Sequence, residues 1–389
     1  MPAPLEGIRV VDIGISTAGP YAARLLGDLG ADVVKVEPLD GENTRSLGLQ
    51  YGNTGYLYHV NNYNKRSITL RVQHPRGRDI FLALVARADV VVENFAIGTM
   101  DKWGIGYDAC RAANPAIVYC SVKGFGESGP WRDLRAFDTV TQALSGIMHS
   151  TGGPGTPPLK AGPSVCDLLG AAVSSMASVA ALVARQPGES QFLDTALFDM
   201  GAWSLACLWP LARRGDADAL RSLGNGHPRH APFGDYACVD GRIMLTVTED
   251  AHWRALAAAV GMPAAWDRDA RLRERAEIDG RLSAWLAPRE AQAVAGQLQA
   301  SGVPAAPILD LAQVATSRQT QARELIGTVR HPAYGEVPLI HTPLATGAPA
   351  GRAPRRLQPT LGEHNREIIG DLLGYGAELD ALRAEGVIL

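Results

Sequence analysis

Ile8-Arg9-Val10-Val11-Asp12-Ile13 is a β-branched run that stops at Gly14. A Ser16-Thr17-Ala18-Gly19-Pro20 turn follows, and Tyr21, Leu25, Leu26 and Leu29 then recur at helical spacing up to Gly30. Ala31 to Glu37 reads as the next strand. Strand, turn, helix and strand in succession make a βαβ unit. The alternation continues with a strand over Ser67–Arg71, a helix over Pro75–Ala86 and a strand over Asp89–Glu93. A helix near Tyr107–Ala113 leads to a strand over Ile117–Val122. Such strands, alternating with helices, predict a parallel sheet covered on both faces. Leu168 to Ala184 is the longest apolar stretch. Gly170 and its serines make it a buried helix, somewhat short and polar for a membrane span.

After Arg185 the pattern changes. It predicts a strand over Gln191–Ala196 and a helix over Phe198–Leu211. Arg213–Pro232, rich in Gly, Arg and Asp, reads as a linker or mobile loop. Phe233–Val247 is a hairpin around Asp240-Gly241. Helices near His252–Val260, Glu274–Leu286 and Arg289–Ala300, with a strand over Val303–Leu309, complete a smaller α+β domain. Gly335–Pro343 suggests a further strand pair, and Gly362–Leu373 starts a terminal helix. The expected division is a large domain over residues 1–212, a small one over 225–325, and a segment 326–389 that returns to the first.

Composition narrows the classes of function. The 389 residues are 46% hydrophobic and 20% charged, with a formal net charge of -3. That balance gives no field for nucleic acid or an anionic membrane, so neither is expected as a partner. The five cysteines form no C-x-x-C pair, which suits a reducing cytoplasm better than a disulfide scaffold. The start, MPAPLEGIRVVDIG, reads as a strand and not as a signal peptide. No metal is expected.

Candidate chemistry gathers after the strands, where open α/β sheets bind ligands. Three loops stand there: Ser16–Pro20, Asn94-Phe95, and Lys123-Gly124-Phe125-Gly126-Glu127-Ser128-Gly129-Pro130. The third contains G-x-G-x-x-G, but Pro130 and Trp131 follow it and no acidic strand end lies at the dinucleotide spacing. No nicotinamide is expected. The other candidate is Asp167 at the head of the small-residue helix. By residue type it is a helix cap or a carboxylate placed to attack a carbonyl, and both readings stand.

The sequence resembles the class III coenzyme A transferases (the CaiB/BaiF group), which include formyl-CoA transferase, carnitine CoA-transferase and the α-methylacyl-CoA racemases. The marks are Leu5-Glu6-Gly7-Ile8-Arg9-Val10, Ala18-Gly19-Pro20, Leu29-Gly30-Ala31-Asp32-Val33-Val34-Lys35-Val36-Glu37 and Asn64-Lys65-Arg66-Ser67-Ile68. Val92-Glu93-Asn94-Phe95, Lys123-Gly124-Phe125-Gly126, Asp167, Gly302-Val303-Pro304 and Leu361-Gly362-Glu363-His364 continue them in order. The resemblance implies an α/β fold with a Rossmann-like large domain formed by both chain ends, a smaller α+β domain, and an interlaced homodimer. It implies an acyl-CoA donor and a carboxylic acid acceptor, with coenzyme A passing through mixed-anhydride and aspartyl-CoA thioester intermediates on Asp167. An Asp at a helix N-terminus is expected to be ionised, its pKa held down by backbone donors and dipole. Contacts to coenzyme A carry over to Thr17, Ala18, Leu70, Arg71, Asn94, Phe95, Lys102, Lys123, Gly124, Phe125 and Gly126. Lys102 and Lys123 would meet phosphates as point charges.

The sequence also departs from that pattern. Pro38 follows Glu37 where formyl-CoA transferase has an Arg, and Ala96 replaces another Arg after Asn94-Phe95. The glycine-run loop becomes Gly224-Asn225-Gly226-His227-Pro228. Formyl-CoA and oxalate are therefore not expected as the dedicated pair. The racemases' Gly-His-Asp run is Ala136-Phe137-Asp138 here, and Phe137 accepts no proton. His149 is a candidate substitute. Arg221, His227, Arg229 and His230 are candidates to meet the second carboxylate of a dicarboxylic acceptor. An acyl-CoA racemase or isomerase, and a CoA-binding protein without turnover, remain the alternatives.

Overall fold

The computed structural model describes residues 3–215, 223–344 and 353–389. Six strands form one parallel sheet: β1 (Arg9–Asp12), β2 (Asp32–Glu37), β3 (Lys65–Thr69), β4 (Val90–Glu93), β5 (Val118–Lys123) and β6 (Gln191–Ala196). Their order is β3-β2-β1-β4-β5-β6. The order reverses between β1 and β4, and the crevice at that switch point is where sheets of this kind bind ligands. The central strands are buried at nearly every position, as continuous β-branched runs require when both faces are covered.

The helices that frame the site are α1 (Ala18–Asp28), α2 (Tyr56–Asn62), α3 (Pro75–Val85), α4 (Tyr107–Ala113), α5 (Asp138–Ser145), α6 (Val165–Ala184) and α7 (Leu197–Ser204). The stretch Phe198–Leu211 is thus not one helix. It breaks at Leu205, and separate turns occupy Ala206–Leu208 and Trp209–Arg213. The sequence pattern also passed over α2 and α5. Both are short and carry polar residues on their buried sides.

The chain divides into two compact units. The first comprises residues 1–146, 161–205 and 318–389, and the second 147–160 and 206–317. Residues 147–160 and 206–212, expected in the large domain, group with the second unit, and residues 318–325, expected in the small one, group with the first. The C-terminal segment docks on β3: the Thr69 N–H donates to Asn365 Oδ1 at 2.8 Å, and the Ser67 N–H to His364 Nδ1 at 3.2 Å. Ile368, Ile369 and Leu382 enter the same core as Val34, Ile68 and Phe81.

The second unit has its own core around Trp253, Ile243, Leu256, Ile278 and Leu298. Its hairpin pairs β7 (Phe233–Cys238) with β8 (Gly241–Thr246), and β9 (Ala305–Pro307) adds to β8. The register matches Gly241 to Cys238, so the two-residue turn is Val239-Asp240, one position earlier than expected.

α6 is not wholly buried. Cys166, Gly170, Ala171, Ser174, Ser175, Ser178 and Ala181 face inward. Leu168, Met176 and Val183 lie exposed along the other side, at 37%, 64% and 84%. Its length and hydropathy match a membrane span, alone among the described residues. The small inward face instead reflects close packing within the unit.

Candidate active site

The β1–α1 and β4 loops are locked together. The Ile15 N–H donates to Asn94 Oδ1 at 2.8 Å, and Asn94 Nδ2 donates back to the Ile15 carbonyl at 2.9 Å. Glycine eases this approach, since a Cβ on Gly14 or Gly19 would stand a tight 3.0 Å from Asn94 Oδ1. Ser16 takes a left-handed φ of 60°, and its carbonyl accepts from Asn61 Nδ2 at 2.8 Å. Backbone strain of this kind on a non-glycine residue collects at ligand sites. Thr17 stands just before α1 and its hydroxyl makes no capping bond; Ala18 is buried.

Beneath that turn lie two lysines and one carboxylate. Lys65 Nζ donates to Asp12 Oδ2 at 2.7 Å, the Pro20 carbonyl at 2.7 Å and Asn62 Oδ1 at 2.8 Å. Lys35 Nζ stands 3.4 Å from Asp12 and donates to the Gly14 carbonyl. Burial draws the Lys65 ammonium down to about 8, with Asp12 opposing and Lys35 adding to the fall. The loop therefore rests on a fixed, desolvated ionic cluster.

Beside it is a cavity of about 210 Å³ lined by Ile13, Ile15, Val36, Leu70, Phe95 and Trp103, with Glu37 and Pro38 at its wall. The Phe95 and Trp103 rings meet edge-on at 4.9 Å. Leu70 and Phe95 were expected to touch a ligand here, while Trp103 was overlooked. Arg71 and Lys102 are exposed and flank lining residues in sequence. The position after Glu37 is Pro38, and Glu37 itself is paired with Arg45. Its Nε and Nη2 donate to Glu37 at 2.7 and 2.8 Å, and its guanidinium lies 3.8 Å from the Tyr58 ring centroid. Burial alone would raise the Glu37 carboxyl, but Arg45 holds it below its ordinary range.

Lys123 differs from its expected part as a free point charge. It is 7% exposed, and its Nζ donates to Glu93 Oε1 at 2.6 Å and to the Phe95 carbonyl at 2.7 Å. It closes the end of β5 onto β4. The Gly124–Gly129 loop does not run into a helix; α5 begins only at Asp138. A dinucleotide cradle needs that helix start directly after the glycines. Gly124 abuts Ala136, because a Cβ there would lie 2.5 Å from the Ala136 Cβ. Its carbonyl accepts from the Phe198 N–H at 2.9 Å. Phe125 packs in a cluster with Trp131 and Phe198.

Asp167 is in the first turn of α6, not at its cap, which is Ser164. The capping carboxylate comes from Asp138. Its Oδ1 accepts from the N–H groups of Cys166 at 2.8 Å and Asp167 at 3.2 Å. Gln142 Nε2 donates to Asp138 Oδ2 at 2.6 Å, and Gln142 Oε1 accepts from the Ala161 N–H at 2.9 Å. The helices α5, α6 and α7 crowd together here. A Cβ on Gly201 would stand 2.3 Å from Ser145 Oγ and 3.1 Å from Cys166 Sγ. Among the described residues no donor meets the Asp167 carboxylate. Burial first, and then the charge of Asp138, push its pKa up to about 7. That reverses the expected direction, since the dipole and donors of the helix end are spent on Asp138.

The remaining candidates fall elsewhere. His149, His227, Arg229 and His230 belong to the second unit, and Arg221 lies outside the described residues. The His227 and His230 rings lie 4.6 Å apart, and Arg275 Nη2 donates to both their carbonyls at 2.8 and 2.9 Å. Phe137 is 76% exposed.

Comparison with known proteins places this geometry. The succinate–glutarate CoA-transferase of Agrobacterium fabrum is 33% identical over 384 residues, spanning 95% of this chain and 96% of that protein. The succinyl-CoA:mesaconate CoA-transferase of Haloarcula marismortui is 35% identical over 387 residues, spanning 94% and 96%. A crystal structure of a CaiB/BaiF family protein from Brucella suis superposes with a TM-score of 0.84 at 32% identity, covering 96% of this chain and all of that one. The model of CoA-transferase family III matches residues 5–365. A doubly wound sheet, a locked switch-point crevice and an agreement over nearly the whole length lead to one conclusion: this chain belongs to CoA-transferase family III.

Proposed function

We propose that this protein is an acyl-CoA:carboxylate CoA-transferase in which Asp167 is the covalent nucleophile. The observation that carries this reading is the state of Asp167: its backbone is clamped by Asp138, yet among the described residues its carboxylate meets no donor. A carboxylate without hydrogen-bond partners is a better nucleophile than one already solvated.

The steps balance as follows. An Asp167 oxygen bonds to the thioester carbonyl carbon and the C–S bond breaks, giving a mixed anhydride and CoA thiolate. The thiolate attacks the aspartyl carbonyl and releases the donor carboxylate, leaving an aspartyl-CoA thioester. An acceptor carboxylate attacks that thioester and expels the thiolate again. The thiolate then takes the acyl group from the second anhydride and frees Asp167. Once Asp167 is ionised no further proton moves, so no base takes part in the transfers, and each transfer occurs between bound partners.

The apolar cavity beside Phe95, Trp103 and Leu70 suits the adenine end of coenzyme A, with Lys102 and Arg71 near its phosphates. The named substrates of the relatives, succinate, glutarate and mesaconate, favour a dicarboxylic acceptor. A second copy of the chain would cover the exposed Leu168, Met176 and Val183 side of α6 in a homodimer. The buried free thiols Cys110, Cys120 and Cys166 suit a reducing cytoplasm.

The test is chemical trapping. The protein is incubated with succinyl-CoA, quenched with hydroxylamine or borohydride, and mapped by mass spectrometry. Modification at Asp167 is expected, with Asp167→Ala unmodified and inactive. An unmodified Asp167 in an enzyme turning over at full rate would overturn the mechanism.

A further inference from the structure

Asp138 is a buried carboxylate, 6% exposed, 29 residues before Asp167 in the chain. Three donors converge on it: two main-chain N–H groups from the first turn of α6 and the side-chain amide of Gln142. Gln142 also donates to the Pro163 carbonyl at 3.3 Å and accepts from the Ala161 N–H. One clamp therefore holds the strand of chain entering α6 and the helix start together. Gly201 lets the helices approach closely enough for this, and Ser145 and Cys166 fill the junction.

We propose that Asp138, held by Gln142, is the positioning residue that fixes the first turn of α6 and so aims the Asp167 carboxylate at the thioester. This rests on the reading of Asp167 as nucleophile. Asp138 touches no reacting atom and acts only through Asp167.

The clamp has an electrostatic consequence. A cap could be an Asn or Ser, which would serve the N–H groups without charge. An Asp instead places a like charge beside the nucleophile and opposes its ionisation. The elements packed on α6 carry other charged groups, and the partners described for them lie away from Asp167. Asp194 on β6 accepts from the Glu127 N–H, and Lys123 on β5 is paired with Glu93. Arg24 and Asp28 on α1 pair with each other. Asp199 on α7 is itself raised by burial and Asp194. Among the described residues, burial first and then the Asp138 charge oppose the ionisation of Asp167. The pair makes Asp167 a nucleophile that is only partly charged near neutrality when the site is empty.

The experiment compares Asp138→Asn and Asp138→Ala with the wild type, using succinyl-CoA and glutarate. Asn keeps an acceptor for the two N–H groups and removes the charge, while its Nδ2 cannot accept from Gln142 as Oδ2 does. The acid limb of its kcat/KM profile should move down by about one pH unit. Ala removes the acceptor, and kcat should fall about 10- to 100-fold through misplacement of Asp167, with KM for succinyl-CoA changed less than about twofold. A merely structural role would lower the melting temperature and leave the acid limb in place. An unmoved limb in Asp138→Asn overturns the proposal, even where Asp138→Ala fails to fold. Hydroxylamine trapping of the wild type runs in parallel. Trapping at Asp167 with an unmoved limb defeats the role of Asp138 alone; no trapping at Asp167 defeats the nucleophile and this proposal with it.

Discussion

Replacing Asp167 by Asn should leave an inactive protein that is more stable than the wild type above neutral pH. The carboxyl is raised from 3.8 to about 7 in the folded chain, first by burial and then by Asp138. A rise of about three pH units corresponds to about 4 kcal/mol at ~1.36 kcal/mol per unit. The sign follows from proton binding. Between these two values the folded chain holds a proton that the unfolded chain releases. Stability is therefore full below about pH 4 and is lost as the pH climbs through about 7. Asn has nearly the same shape and does not titrate. The stability gap between Asp167→Asn and wild type should be near zero at pH 4 and should widen steadily to pH 7.5. Its ceiling is about 4 kcal/mol, and water reaching the half-buried carboxylate will lower it. Urea unfolding at fixed protein concentration reads the gap directly, provided both proteins are compared at each pH. A gap that stays flat across this range, or an Asn variant that is less stable at pH 7.5, would refute the desolvated, charge-opposed carboxylate.

Two further changes probe the surroundings. Gly201→Ala should cost about 1–3 kcal/mol by overpacking, because its Cβ meets Ser145 Oγ at 2.3 Å; urea midpoints measure the cost, and kcat should fall with it since Cys166 must give way next to Asp167. Phe95→Ala should weaken coenzyme A binding about tenfold by removing an aromatic wall of the apolar cavity, as calorimetry would show. Unchanged CoA affinity in that variant would place the adenine elsewhere.

The alternation of β-branched runs with helical repeats made the parallel sheet legible, because strands buried on both faces cannot be written any other way. The turns at Ser16–Pro20 and Asn94-Phe95 were legible for a related reason: loops at strand ends are where such a sheet has room for a ligand. What the pattern could not carry was long-range. α5 is short, begins after an exposed Phe137, and buries polar residues, so no apolar period marks it. Lys123 has the composition of a phosphate ligand, and only the pairing of β4 with β5 shows that Glu93 already occupies it.

Asp167 shows the same limit in sharper form. From its neighbours alone, an Asp at the head of a helix should have its charge supported by the free N–H groups and the dipole. That inference is sound for an isolated helix. Here the N–H groups of Cys166 and Asp167 are taken by a second carboxylate, from a residue 29 positions earlier. The local rule then applies to Asp138, and Asp167 inherits a half-buried position and a like charge. Two acidic residues thus share one helix end, one as cap and one as the group left free. A sequence can show that both are present. Which of them receives the donors depends on where the chain entering α6 is held, and Gln142 holds it at Ala161 and Pro163. The reactivity assigned to Asp167 is in this sense a property of the α5–α6 junction and not of the helix on which it sits.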